Sequence, residues 1–209
     1  MRKLDPVKFE AKRREILTAA GRCFHRSGLN GASISDICKE AKISPGHLYY
    51  YFKDKSAIIT ALADLRLEEI ADHFEKALCD ESPLMNALLD EMARSAPEEG
   101  GALEAFLFEM FAEASRSPEM ASILQGHSQK VHALLAEVLR RGQARGEIDA
   151  RLDPETVAAM LIGVTDGLRG LWLRYPKTDS AKAVSLFALL LQRFLSPAAG
   201  DSNRLPMDS

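Results

Sequence analysis

The chain has 209 residues, 46% of them hydrophobic, with 27 Lys and Arg against 30 Asp and Glu and a formal net charge of −3. Such a length supports a substantial core, as one domain or as a small domain joined to a larger one. No apolar run approaches the roughly 20 residues that span a bilayer. The charged start MRKLDPVKFEAKRRE lacks a secretory leader and three cysteines suit a reducing compartment, so a cytoplasmic protein without a membrane partner is expected.

The charge is divided along the chain. Residues 1–60 hold 12 Lys and Arg against 6 Asp and Glu, and the remainder holds 15 against 24. A basic amino-terminal part on an acidic body is expected if only the first part meets phosphates. The first helix is predicted over residues 8–27, ending at Gly28. Its buried stripe is Phe9, Ile16, Ala19, Ala20, Cys23 and Phe24. Arg2, Lys3, Lys8, Lys12, Arg13 and Arg14 precede or open it, as a flexible arm, a phosphate-contacting helix end or an ordinary solvated face. Cys23 and Cys38 lie on apolar faces and read as small core residues rather than redox sensors.

Next comes SISDICKEAKISPGHLYYYFKDK, residues 33–55, which reads as two short helices and a tight turn. Ile34, Ile37, Cys38 and Ala41 recur at the spacing of one buried helix face. Ser33 with Asp36 is an S-x-x-D arrangement that caps a helix start. Ser44-Pro45 is an N-cap followed by a first-turn proline, and Leu48 with Phe52 is the core-facing pair of the second helix. Successive helical residues turn by about 100°, which puts Tyr50 opposite that pair, with Gly46 on the same outer face and Lys53 extending it. Tyr49 and Tyr51 flank the buried pair, either as contact residues or as rim residues packed on neighbouring helices. So much outward aromatic surface calls for a binding partner. Asp54 caps the following helix, which places Lys55 at a first position where the helix dipole disfavours a cation. A bound phosphate would reverse that effect. The pattern is a helix-turn-helix.

With REILTAAGRCF from Arg14 to Phe24, Gly28, ISDICKEA, ISPGHLYYYF and Lys55, the stretch from residue 8 to about 65 resembles the DNA-binding domain of the TetR family of bacterial transcription regulators. The resemblance implies an all-α homodimer whose first three helices bind DNA and whose larger carboxy-terminal domain dimerises and holds an effector. It implies a repressor released by a small molecule and no cofactor. DNA contact is expected from Ser33, Ser35, Lys42, Ser44, Pro45, Gly46, His47, Tyr49, Tyr50 and Lys55. Ser33 and Lys55 would fix phosphates, with Gly46, His47 and Tyr50 nearest the base edges of a pseudo-palindromic operator. Two positions depart from the family pattern. Ala41-Lys42-Ile43 stands where Ala-Gly-Val is usual, at a cost of about 1 kcal/mol if the turn needs a left-handed residue. His47 replaces the common threonine or serine, so operators of relatives do not transfer.

A long fourth helix over 55–79 would link the two parts. Further helices are predicted over 83–95, 102–115, 118–145, 154–175 and 180–195, and no strand alternation appears. Ser82-Pro83, Ser117-Pro118 and Asp153-Pro154 start three of them, and Gly146 is a C-cap. The predicted organisation is a helix-turn-helix domain over 1–54, an effector-binding and dimerisation domain over 55–195, and a disordered tail over 196–209. Residues 102–175, through EMFAEASRSPEM, LLAEVLRRGQARGEID and LDPETVAAMLIGVTDGL, also resemble the betaine-regulator-like branch of the family.

Gly163, Gly167 and Gly170 let another helix approach closely, and SLFALLLQRFL is apolar over too much of its circumference to be covered on one side only. With Leu186, Leu190 and Phe194, these helices are expected to form the dimer seam, the alternative being plain monomer core. An apolar or amphipathic effector is expected to meet Phe106, Glu109, Met110, Glu113, His127, Met160, Asp166 and Trp172, although Met and Phe at helical spacing also read as core.

Enzyme readings fail on spacing. There is no Glu-x-x-His pair, no zinc-spaced Cys/His cluster, no Gly-x-x-x-x-Gly-Lys and no Gly-x-Ser-x-Gly. The alternative from another class is a helix-turn-helix protein that acts through protein contacts or nucleoid association without an effector.

Overall fold

The computed structural model describes residues 5–79, 82–94, 102–175 and 177–197, without the side chains at 92, 102–107, 169, 171–173 and 180. Among the described residues the elements are helices: α1 (Pro6–Gly31), α2 (Ile34–Glu40), α3 (Pro45–Tyr51), α4 (Lys55–Cys79), α5 (Leu84–Arg94), α6 (Ala102–Ala114), α7 (Pro118–Ala144), α8 (Pro154–Arg174) and α9 (Ser180–Leu195). The all-α class expected from the sequence is what the chain adopts. Most of the predicted tail, 198–209, lies outside the described residues, as does Gly100-Gly101.

The chain divides into two compact units. The first joins Met1–Ile70 to Pro97–Lys130, and the second joins Ala71–Ala96 to Val131–Ser209. This division runs elsewhere than at residue 54, and the reason is packing. Helix α6 lies against α1, and Met110 of α6 and Met120 of α7 are buried in one core with Ile16, Leu17, Phe24, Ile37, Leu48, Phe52, Ile58 and Ile59. The helix-turn-helix therefore completes its core with residues that follow it by a long interval in sequence.

Within this unit α1 starts two residues earlier than predicted. Asp5 caps it by accepting from the Val7 and Lys8 amides, with Pro6 in the first turn. The predicted stop at Gly28 is a kink, with φ 72° and ψ 171°, after which the chain turns helically to Gly31. Ile16, Ala19, Ala20, Cys23 and Phe24 are buried as expected. Phe9 is not. It is half-buried, at the wrong end of the helix to reach the core. Burial pushes the Cys23 and Cys38 thiols up, which keeps both protonated and fits their reading as core residues.

The second unit packs Phe74, Leu84, Leu88, Leu139, Ile148, Ala158, Leu161, Phe187, Leu191 and Leu195. Two of the three predicted proline starts are present, with Ser117 Oγ accepting from the Met120 amide and Asp153 Oδ2 from the Thr156 amide. The third is not: α5 begins one residue later, at Leu84, and the Pro83 carbonyl, not the Ser82 side chain, accepts from the Asn86 amide at 3.0 Å. Gly146, with φ 71°, caps the end of α7, where the Glu147 amide donates to Gly142 O at 2.9 Å. A Cβ on Gly142 would lie 2.5 Å from Ile148 Cδ1, so that position needs glycine for close approach. No helix among the described residues is long and apolar enough to cross a membrane.

Candidate nucleic-acid interface

The interface is built from caps inward. Ser33 and Asp36 form a reciprocal capping box: the Asp36 amide donates to Ser33 Oγ at 3.1 Å, the Ser33 amide to Asp36 Oδ2 at 3.1 Å, and Ser33 Oγ to Asp36 Oδ2 at 2.6 Å. At the other end of α2, Glu40 accepts from Arg22 Nε at 2.7 Å and from Arg26 at 3.3 Å, tying α2 to α1. The turn closes through the Ile43 amide donating to Cys38 O at 3.0 Å. Lys42 sits in it at φ 53°, the positive-φ non-glycine among the described residues. The conditional cost inferred from Ala41-Lys42-Ile43 therefore applies, at about 1 kcal/mol relative to glycine.

Helix α3 begins where Ser44 Oγ accepts from the His47 amide at 3.2 Å, with Pro45 following. Leu48 and Phe52 are buried, as the wheel requires. The opposite face carries Tyr50, 54% exposed, and Gly46, with Tyr49, 52% exposed, on its flank, and Pro45, His47 and Lys53 are exposed as well. Among the described residues a Cβ on Gly46 would meet nothing within 4 Å, so no contact there demands glycine. Ser35, Lys42 and Ser44 are also exposed. Tyr51, half-buried, packs on Phe9 of α1 with ring centroids 4.7 Å apart.

Two residues expected at phosphates also have partners within the chain. Lys55 does not point its ammonium at open solvent beyond α4. Its Nζ donates to Leu29 O and, at 3.1 Å, to Ala32 O, so it fastens the junction between α1 and α2. That contact also answers why a cation sits at the start of a helix. The Ser33 hydroxyl is likewise committed, to the Asp36 carboxylate.

Glu109, Met110 and Glu113, expected at an effector, converge on the same junction. Glu109 accepts from the Leu29 amide, Glu113 Oε2 accepts from Asn30 Nδ2 at 3.0 Å, and Met110 is core. Leu29 is thus held on both sides, its N–H by Glu109 and its C=O by Lys55. No local signal announced this, since Glu109 and Leu29 are 80 positions apart. His127 is half-buried, with Nδ1 buried and without a hydrogen-bond partner among the described residues. Desolvation pushes it below the ordinary imidazole range. In the second unit, Met160 is 51% exposed and so does not line a closed pocket in the single chain, while Asp166 is half-buried. The side chains of Phe106 and Trp172 lie outside the described residues.

Three carboxylates of the first unit are held below the usual range. A hydrogen bond from the Arg22 guanidinium is the main cause at Glu40, one from the Ser33 hydroxyl at Asp36, and one from the Asn30 amide at Glu113. Each binds its proton less readily folded than unfolded. Their stabilisation is therefore complete above the unfolded carboxylate range and is lost as pH falls through the lowered folded values. Urea midpoints taken from about pH 7 to about pH 3 should fall, and less steeply for Glu40→Gln. A variant curve as steep as the wild type would exclude Glu40 from the effect.

Comparison with known proteins decides the family. Residues 16–62 match the family model for bacterial regulatory proteins of the tetR family, and residues 84–196 match that for the carboxy-terminal domain of BetI-type transcriptional repressors. The chain belongs to the TetR family of bacterial transcription regulators. The regulator UidR of Escherichia coli K12 is 29% identical over 167 residues, covering 79% of this chain and 84% of UidR. The probable regulator ArpR of Pseudomonas putida is 30% identical over 178 residues, covering 78% and 81%. The solved structure of Salmonella enterica GusR superposes with a TM-score of 0.69 at 28% identity, covering 93% of this chain and 99% of GusR. The TetR family comprises DNA-binding transcription regulators rather than enzymes, and the helix-turn-helix described above lies inside the matched amino-terminal segment.

Proposed function

We propose that this TetR-family protein is a cytoplasmic repressor that binds a pseudo-palindromic double-stranded operator as a homodimer and leaves it when a small apolar or amphipathic effector binds the carboxy-terminal part. The observation that carries the DNA reading is the outer face of α3. It presents two half-exposed tyrosines beside a glycine that no contact among the described residues requires. A bare backbone between aromatic side chains suits close approach to base edges and sugar–phosphate. On this reading Gly46, His47 and Tyr50 face bases, and Ser35, Lys42, Ser44, Pro45 and Tyr49 flank them. Lys55 acts mainly by fixing the α1–α2 junction.

Dimerisation is supported by α8 and α9. Met160 and Val164 are exposed on the turn that carries Gly163 and Gly167, and Leu186, Leu189, Leu190 and Phe194 are between 41% and 59% exposed on α9. That much apolar surface on two helices calls for a second copy. Repression, rather than activation, is supported by the repressor description of the family model that spans residues 84–196. The buried Nδ1 of His127, without a hydrogen-bond partner among the described residues, supports an effector with a hydrogen-bonding group.

The test is affinity for the intergenic DNA upstream of the protein's own gene and for a scrambled duplex, across a salt series. Tight, selective binding is expected. Tyr50→Ala should weaken operator binding by about 1–3 kcal/mol with helicity unchanged, because Tyr50 lies opposite the core face. Equal, weak binding of both duplexes by the wild type would overturn the reading, and lost helicity in the variant would overturn the placement of Tyr50.

A further inference from the structure

Helix α3 has seven residues, of which Leu48 is the one fully buried. So short a helix cannot hold its own conformation, and one buried leucine with the adjacent Phe52 leaves its outer side chains free to rotate. The restraint comes from α1. The Phe9 amide donates to Asp5 O at 3.0 Å, placing Phe9 in the capped first turn of a 26-residue helix. Its ring lies 4.7 Å from that of Tyr51, tilted by 32°, and 5.8 Å from that of Tyr50, nearly perpendicular at 76°. Tyr51 in turn meets the Tyr50 ring edge-on at 5.1 Å and the His47 ring at 5.5 Å. One turn further along α1, the Arg13 guanidinium sits 5.4 Å from the centroid of the Phe52 ring.

These are the separations and angles that the quadrupoles of aromatic rings favour, and they connect into one cluster. Tyr51 is its hub, with Phe9 on the α1 side and both His47 and Tyr50 on the outward side. We infer that Phe9 is a positioning residue for operator recognition: through Tyr51 it fixes the rings of Tyr50 and His47 in the orientation in which α3 reads DNA, without touching the operator itself. The inference rests on the DNA-binding reading above. It adds a residue outside the helix-turn-helix and gives the start of α1 a role in specificity rather than in charge attraction. Of the α1 cations near it, Lys12 pairs with Glu15 at 2.6 Å, and Arg13, paired with Glu10 at 3.4 Å, reaches the Phe52 ring at the core end of α3, which leaves the Phe9 ring as the α1 contact to the outward tyrosines.

The test compares Phe9→Ala, Phe9→Leu and Phe9→Tyr with the wild type, using the upstream intergenic duplex and a scrambled duplex at several salt concentrations. Phe9→Ala should lose about 5- to 10-fold in affinity for the intergenic duplex, with scrambled-duplex affinity and salt slope unchanged. Phe9→Tyr should retain wild-type binding, and Phe9→Leu, which keeps bulk without a ring, should resemble Phe9→Ala. The near-ultraviolet circular dichroism of the tyrosines should weaken in the alanine and leucine variants and persist in Phe9→Tyr, while far-ultraviolet helicity stays constant in all three.

Unchanged selective binding by Phe9→Ala would overturn the inference, as would leucine performing as well as tyrosine. Equal loss on both duplexes with a shallower salt slope would also overturn it, because Phe9 would then act through the DNA backbone. A wild type that fails to discriminate the duplexes sinks the operator reading itself. A selective wild type beside an unaffected Phe9→Ala sinks this inference alone.

Discussion

Gly28→Ala is expected to destabilise the protein by about 2–4 kcal/mol, read as a lower urea midpoint at unchanged m-value. Gly28 adopts φ 72° and ψ 171°, a region open essentially to glycine alone, where a side chain costs about 1–3 kcal/mol. The added Cβ would also lie 2.6 Å from Glu109 Oε1 and 2.8 Å from Oε2. That carboxylate accepts from the amide of Leu29, a buried residue that is 2% exposed. Pushing it aside leaves a buried donor unpaired, at about 1–3 kcal/mol. Because displacement by the new Cβ and removal of Glu109 disrupt the same contact, Gly28→Ala combined with Glu109→Ala should cost less than the two singles added together. Strict additivity would show that strain alone makes Gly28 irreplaceable.

Lys55→Met is expected to cost about 2–3 kcal/mol, since it strips a charged donor from the carbonyls of Leu29 and Ala32, both in buried residues. Methionine keeps the length and apolar stem of the chain, so the loss isolates the ammonium. The same variant separates two roles for this side chain. If its cation serves the junction, the salt slope of DNA binding stays as in the wild type while the folded population falls. If it also neutralises a phosphate, the slope drops by about one unit. Near-wild-type stability with a reduced slope would return Lys55 to the DNA-contacting set.

How much of this could be read from the chain depended on distance along it. The capping box at Ser33 and Asp36, the Ser44-Pro45 start, the Leu48–Phe52 pair and the Gly146 cap are all set by residues within a few positions of one another. Spacing alone therefore carries them. The Asp5-Pro6 start of α1 has the same local signature as Ser44-Pro45 and Asp153-Pro154, and reading it would have brought Phe9 into the capped first turn. The partners of Lys55 and Glu109 were not legible. A single polar contact between distant segments leaves no periodicity, and a methionine such as Met110 has the same pattern whether it lines a cavity or closes a core. The exposed stripe on α9 is legible as excess apolar surface and that on α8 through its glycines, whereas hydrophobicity does not state direction and so leaves Met160 as readily an effector residue as an exposed one.

The first unit draws Met110, Met120 and Glu109 from a segment that begins at Pro97 and ends at Lys130. A ribosome that has just released Ile70 must therefore add about 60 more residues before that unit has all its parts. At bacterial elongation rates of about 5–20 residues per second, this takes about 3–12 s. In that interval the nascent helix-turn-helix has its caps and its exposed tyrosines, but not the two methionines that close its core or the acid that pins its kink. A polypeptide truncated within α4 should accordingly be a poor ligand for DNA and a good substrate for proteases. Competence to read an operator is deferred until translation has passed well into α7.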